Sequence, residues 1–333
     1  MKTQKREIVF FFIKMCIFIA IFLGLFAMLH KVFLAKSDNL YNYINFTKQP
    51  EESIDVLVLG SSHSMDGIDA RELDNILSEE YEIEAKTFNM SITGMRMEQI
   101  GYRFKEALKT QRPSILVIET FSCAPINTGT NESVNRWAVD YVPLNRDKLE
   151  YIQVDVEESL QTSFLVPFIK YHSRWKELTE EDWEILSWEK VWNRSQNAGF
   201  VAPDKPDFKD EPDEYFEQDF ALITEERELP EYYKGIIQEI IESCEEINCK
   251  VLFLSIPYKV QADFYATELV KYNNYIVREY VDNECVYMYD MQKTVQELNW
   301  GYEHMTDEGH VSNFGREVVN RQLAGMIKNI WRD

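Results

Sequence analysis

Apolar residues occur along this chain in three distinct patterns. From Ile8 to Leu29 there is no periodicity: the run is apolar except for Lys14, and Met15–Leu29 is unbroken. A helix over that run spans about 33 Å at roughly 1.5 Å per residue, enough for a bilayer core of about 30 Å. Lys14 lies near its start and can snorkel toward the headgroups. Further on, short apolar runs rich in β-branched residues predict strands at Ile54–Leu59, Ser114–Ile118, Val251–Ser255 and Val286–Tyr289, with a weaker one at Ala85–Asn89. Between them, helical patterns cover Arg71–Leu77, Met97–Lys109, Tyr232–Ile247, Glu268–Val281 and Phe314–Ile330. In 232–247 the apolar residues at 236, 237, 240, 241 and 247 share one face of a 3.6-residue period. Continuous apolar strands alternating with amphipathic helices predict a parallel sheet covered on both faces, a three-layer α/β domain.

That alternation breaks between about 121 and 230. The stretch holds Trp137, Trp175, Trp183, Trp188 and Trp192, then the Pro- and acid-rich segment Pro203–Pro212. It reads as a helical insertion or cap, with an exposed acidic loop near 203–218. Its aromatics are either ordinary core or the lining of a sugar or acyl site. The chain therefore divides into an N-terminal tip and anchor, 1–36, and one body, 37–333, with the 121–230 insertion inside it.

Charge sharpens this division. The chain has 35 Lys+Arg against 57 Asp+Glu, a formal charge of −22. Residues 1–36 carry six basic residues and a single acid, Glu7, so the leader is +5 and the body −27. An acidic body argues against nucleic acid, which needs a basic face. A cleavable signal peptide would have a shorter apolar run ending in small residues. Here the run ends Ala27-Met28-Leu29-His30-Lys31-Val32-Phe33, which favours an uncleaved anchor through residues 8–29. Lys2, Lys5 and Arg6 favour a cytoplasmic N-terminus, although His30, Lys31 and Lys36 blur the asymmetry. The expected location is a single-pass membrane protein with its body outside the cell. Five cysteines without a C-x-x-C are too sparse for a disulfide scaffold, and Cys244 and Cys249 read as packing residues.

Two segments carry candidate chemistry. Leu59-Gly60-Ser61-Ser62-His63-Ser64 follows the first strand, at the sheet edge where open α/β folds place their sites. Gly60 permits a tight turn, and a following helix would aim N–H groups at an anionic intermediate. Gly-Ser loops are also common without function. Thr306-Asp307-Glu308-Gly309-His310 precedes the last helix. Asp307 and His310, three apart on one loop, can supply two members of a triad, His310 taking a proton and Asp307 orienting its ring. The plain alternative is a turn aspartate and a surface histidine. His304, Asp307 and His310 are also spaced by three, but zinc wants a clearer ligand pattern and a loop guarantees no such geometry, so no metal or other cofactor is expected. If strands 54–59 and 286–290 lie side by side, the two loops share one edge and Ser62 meets His310.

The stretches Gly60-Ser61-Ser62-His63-Ser64, Asn89-Met90-Ser91-Ile92-Thr93-Gly94 and Asp307-Glu308-Gly309-His310 resemble SGNH/GDSL hydrolases. The resemblance is nearest to their membrane-anchored branch, which includes the D-alanine-transfer protein of teichoic-acid modification and proteins of polysaccharide O-acylation. Lys170-Tyr171-His172-Ser173-Arg174-Trp175 also looks like that branch. The resemblance implies a flavodoxin-like fold and a serine O-acyltransferase or esterase acting on a cell-surface polymer, with a multi-pass membrane acyltransferase as partner. It makes Ser62 the nucleophile, His310 the general base and Asp307 its partner. Gly94 and the Ser62 amide would bind the oxyanion, while Asn89 holds the loop. Ser61 is the alternative nucleophile. His63 orients the loop, touches substrate or is only a turn residue, and His172 is structural or substrate-binding. One departure stands out: the family's G-x-N-D block has no counterpart at Glu119-Thr120-Phe121-Ser122. A missing oxyanion donor can cost about 2.7–4 kcal/mol, which disfavours a fast general esterase and leaves acyl transfer open. A non-catalytic polymer-binding or assembly protein is the competing reading. A lipase of membrane lipids ranks behind it, because no stretch of the body reads as an amphipathic interfacial helix and the −27 charge repels anionic lipid. Asn131-Glu132-Ser133 fits a glycosylation acceptor, a reading that the bacterial resemblance sets aside.

Overall fold

The computed structural model describes residues 2–126, 132–187, 219–258 and 263–331. A long helix, Lys2–Phe33, comes first. Its Arg6–Phe33 portion is long and apolar enough to cross a membrane, with a mean hydropathy of 2.8 over its best window. A short helix, Asp38–Phe46, follows, N-capped by Ser37, whose hydroxyl accepts from the Leu40 N–H.

The body is built on five parallel strands: β1 Val56–Leu59, β2 Thr87–Asn89, β3 Ile115–Glu119, β4 Lys250–Ser255 and β5 Val286–Asp290. Their order across the sheet is β2-β1-β3-β4-β5, the doubly wound flavodoxin arrangement. Leu57 pairs with Phe88 on one side and Leu116 on the other, and Leu116 with Val251. Every residue of β1, β2 and β3 is buried. That is why these strands read as continuous apolar runs: no face is left for water.

Helices Ala70–Tyr81 and Asn313–Trp331 cover one face and pack on each other. Met97–Ala107, Glu231–Glu246 and Asp263–Tyr280 cover the other. Gly101 lets Glu231–Glu246 come close, since a Cβ there would stand 2.6 Å from Ile236 Cγ2. Lys234 lies 5.6 Å over the Tyr275 ring and joins the next pair on that face. The result is a three-layer α/β fold.

One expectation needs correction. β1 and β5 are not side by side, because β3 and β4 lie between them. The chain after β5 instead travels back along the carboxyl edge of the sheet to reach the β1 side. Asn313–Trp331 then docks on the elements following β1: Arg316 Nε donates to the Asp66 carbonyl (2.8 Å) and Asn320 Nδ2 to Glu72 Oε2 (2.6 Å).

Within the 121–230 stretch the described residues form short helices, Glu132–Val139, Arg146–Asp155, Glu158–Leu165, Phe168–Tyr171 and Glu180–Glu184. Asn131, Trp188, Trp192, Pro203–Pro212 and the acidic 203–218 loop lie outside the described residues. Trp137 packs partly buried on the core, but Trp175 and Trp183 are 64% and 45% exposed, so they are not core residues. Cys244 and Cys249 are buried in the core.

Candidate active site

The chain leaves β1 at the carboxyl edge of the sheet and turns at Gly60 into the short helix Ser62–Gly67. Gly60 is required for space: a Cβ there would lie 2.3 Å from Ser64 Oγ and 2.5 Å from Glu119 Cβ. Ser61 caps the helix, its hydroxyl accepting from the His63 N–H (3.3 Å). That hydroxyl donates to Glu119 Oε2 (2.8 Å), and Ser61 is fully buried. Ser62 is the partly exposed serine of the pair.

Asp307 and His310 occupy a loop closed at its base by an antiparallel bridge between Met305 and Val311. Thr306 N–H donates to the His310 carbonyl (2.9 Å) across it. The loop seats on the last helix through Gly315, which lies directly against the His304 carbonyl. Asp307 Oδ1 accepts from the Gly309 and His310 N–H groups at 2.9 and 2.8 Å. His310 Nδ1 donates to Asp307 Oδ1 (2.8 Å) and lies 3.0 Å from Oδ2. An ionised carboxylate only accepts, so Nδ1 carries the proton and Nε2 is left as an acceptor. Ser62 Oγ lies 2.8 Å from that Nε2 and donates to it. Asp307, His310 and Ser62 thus form one hydrogen-bonded chain. Burial pushes the Asp307 carboxyl up, but the His310 bond and the two backbone donors outweigh it and hold the group well below the usual carboxylate range.

The other singled-out residues take varied positions. His63 is buried, Nε2 bonded to the Tyr258 hydroxyl (2.7 Å), its ring 5.2 Å from that of His310 and nearly parallel to it. It stands beside the His310 ring, on the side of Tyr258. Asn89 is fully buried and donates to the Ser64 and Ile68 carbonyls, both at 2.9 Å, tying β2 to the Ser62–Gly67 helix. Gly94 has a left-handed φ of 71° in the exposed turn after β2, a conformation suited to glycine. That turn touches the Ser62–Gly67 helix through Thr93 Oγ1 and Met65 Sδ (3.4 Å). Among the described residues neither the Ser62 nor the Gly94 N–H has an acceptor. His172 stands apart: it is exposed, bonded through Nδ1 to the Ile169 carbonyl (2.7 Å), and no bond joins it to the triad. His304 turns away too, its Nδ1 accepting from the Gly301 N–H (2.8 Å) and its ring stacked on Trp300.

Sequence reasoning missed two residues. Glu119, fully buried at the end of β3, accepts from the Ser61 N–H and hydroxyl, the Phe121 N–H and the Ser122 hydroxyl. Burial pushes its carboxyl up, against those four donors. The end of β3 therefore supplies an acceptor for the Ser61 turn. A carboxylate closing the apolar run Ile115–Ile118 was the available signal. Tyr258, behind His63, had none.

No family model matches the chain, and no curated protein matches it. Among solved structures, the lipase Lip_vut3 from a goat rumen metagenome aligns over 82% of this chain and 96% of its own, at 11% identity and a TM-score of 0.40. A likeness that low informs neither fold nor function.

Proposed function

We propose that this protein is a membrane-anchored serine acyltransferase or esterase of the SGNH type that acts on a cell-surface polymer, teichoic acid or an exopolysaccharide, with its body outside a bacterial cell. The carrying observation is the unbroken Asp307–His310–Ser62 hydrogen-bond chain at the carboxyl edge of the sheet. Ser62 Oγ attacks the ester carbonyl carbon while its proton passes to His310 Nε2, and Asp307 stabilises the imidazolium. The oxyanion is held by the Ser62 N–H, with the Gly94 N–H from the neighbouring turn. Collapse expels the donor alcohol, which takes the proton back from His310 and leaves acyl-Ser62. A polymer hydroxyl or water then attacks, giving its proton to His310 and returning Ser62 Oγ–H. A multi-pass membrane acyltransferase fits as the source of acyl groups at the outer face. Glu119, an acceptor bound to the Ser61 turn where the resembled family carries its Asn-bearing block, supports transfer to a positioned acceptor over rapid hydrolysis.

The test treats the full-length protein in lipid nanodiscs with a fluorophosphonate and reads intact mass. One adduct is expected, absent from Ser62→Ala and His310→Ala. A folded wild-type protein that takes no adduct would overturn the enzymatic reading and favour a polymer-binding role.

A further inference from the structure

Beside the end of the long N-terminal helix, the insertion exposes apolar surface that the catalytic reading does not use. Phe168–Tyr171, the turn His172–Lys176 and Glu180–Glu184 all pack against that helix. The Phe168 ring sits 5.6 Å from Phe26 and 5.3 Å from Phe33, and both partners belong to the membrane-length span Arg6–Phe33. Around this contact Leu165, Val166, Ile169, Trp175, Trp183 and Leu186 are all exposed. Single exposed apolar residues are ordinary, but Ile169, Trp175 and Trp183 belong to the three elements packed on the end of a helix that is itself largely apolar, and the others flank them in sequence. Lys176 lies over the Trp175 ring at 5.5 Å, a pairing of aromatic body and cationic tip suited to a membrane–water interface.

The junction also fixes the direction of the helix relative to the body. Lys36 Nζ donates to the carbonyls of Lys31, Val32 and Leu34 at 2.9, 3.0 and 2.7 Å. Arg174 donates to those of Phe33 and Leu34 at 2.8 and 2.7 Å. Both cations satisfy acceptors that a helix C-terminus leaves open, where its dipole favours positive charge. Asp182 joins them, 2.7 Å from Arg174 and 3.7 Å from Lys36. A spanning helix held this way carries the exposed patch to the bilayer surface at the depth of Phe26 to Phe33.

We infer that this face of the insertion is a lipid-binding platform: around the exit of the anchor it beds in the headgroup and upper acyl region of the bilayer, with Trp175 and Trp183 at headgroup level. The inference rests on the anchor reading above and is independent of the triad. It also orients the site. Asn42, in the helix just after the anchor, donates to the Asn89 carbonyl at the end of β2 (2.9 Å). The Tyr141 hydroxyl donates to the Ala35 carbonyl (2.8 Å), and Val134, earlier in the same segment, packs under Gly94. The sheet edge bearing Ser62 therefore shares a corner with the anchor exit, which places it on the membrane side of the body.

The test introduces benzoylphenylalanine singly at Phe18, Ile169, Trp175 and Leu222 in the full-length protein. Each variant is reconstituted in phosphatidylcholine nanodiscs and irradiated, and lipid adducts are read by mass. Circular dichroism confirms folding, which these exposed positions should not disturb. Positions 169 and 175 should form adducts on the order of tenfold above Leu222, which is more exposed than either but sits in the turn Phe220–Leu222, packed against Met291–Thr294 after β5 and not against the N-terminal helix. Yields at 169 and 175 no higher than at 222 overturn the platform and assign the face to a protein partner. Position 18 tells the two readings apart: adducts there with none at 169 or 175 sink the platform alone, and none at any of the three sinks the anchor with it.

Discussion

Asp307 does more at the residue scale than orient a ring. Its Oδ1 holds two backbone N–H groups as well as the imidazole, so the carboxylate shapes the loop that presents His310. Asp307→Asn keeps the size but can present an N–H to Nδ1, favouring the tautomer that cannot accept from Ser62. Fluorophosphonate labelling should slow by about 10⁴-fold, the scale seen when a triad aspartate is amidated. The pH dependence has a definite sign. A carboxyl whose folded value is depressed contributes stability above its unfolded value, about 3.9, and that stability is lost as pH falls through the folded value. The stability gap between wild type and Asp307→Asn, from urea midpoints, should be level from neutral pH to about pH 5 and shrink below about pH 4. A gap that widened on acidification would contradict this picture. Asp307 and His310 were legible as a pair because they lie three residues apart on one loop, and Ser62 because it follows the first strand directly. The roles of His63 and His172 stayed open in the sequence, because they depend on which face of the loop each side chain meets.

At the scale of elements, the seam between the last helix and the loop before it positions His310. A Cβ on Gly315 would stand 2.0 Å from the His304 carbonyl oxygen, which is backbone and cannot rotate aside. Gly315→Ala must push Asn313–Trp331 off the 301–312 loop and draw His310 away from Ser62. The expected result is a destabilisation of about 1–3 kcal/mol by overpacking, or more, with labelling lost even where the protein stays folded. Gly325 on the same helix is the control, since a Cβ there would meet Tyr81 Oη at 3.8 Å, an ordinary contact. Gly325→Ala should raise stability by up to about 1 kcal/mol through helix propensity and leave labelling unchanged. Thermal melts with labelling rates on both variants check the contrast.

At the scale of the whole molecule, the cationic leader and the acidic body meet in a small buried charge cluster. Lys36 and Asp182 side chains are only 8% and 4% exposed, and Arg174 completes the group. Burial pulls the Lys36 ammonium down to about 8, against the pull of Asp182 upward. Asp182→Ala leaves two neighbouring cations without their shared anion and should cost about 3–5 kcal/mol, the penalty of breaking a buried pair. Denaturant unfolding of the full-length protein in nanodiscs would measure it, and a cost under about 1 kcal/mol would place the cluster among exposed pairs. The exposed platform belongs to this scale as well. No single stretch of 165–186 has a long amphipathic period, so the patch exists only once three short elements gather against the N-terminal helix.

The strands, the sheet-covering helices and the membrane-length run could all be read from the sequence. Each of these is written in neighbours one to four positions apart, and burial on both faces makes the strands wholly apolar. The strand order could not be read that way, and the expectation that β1 adjoins β5 was wrong because sheet order depends on contacts between residues far apart in the chain. The same holds for the meeting of Ser62 with His310 across 248 positions, which the returning chain and the Gly315 seam bring about. It holds equally for Glu119 under the Ser61 turn and for the tryptophans left outside the core. Local periodicity records which side of an element is buried, and only packing in three dimensions records what it is buried against.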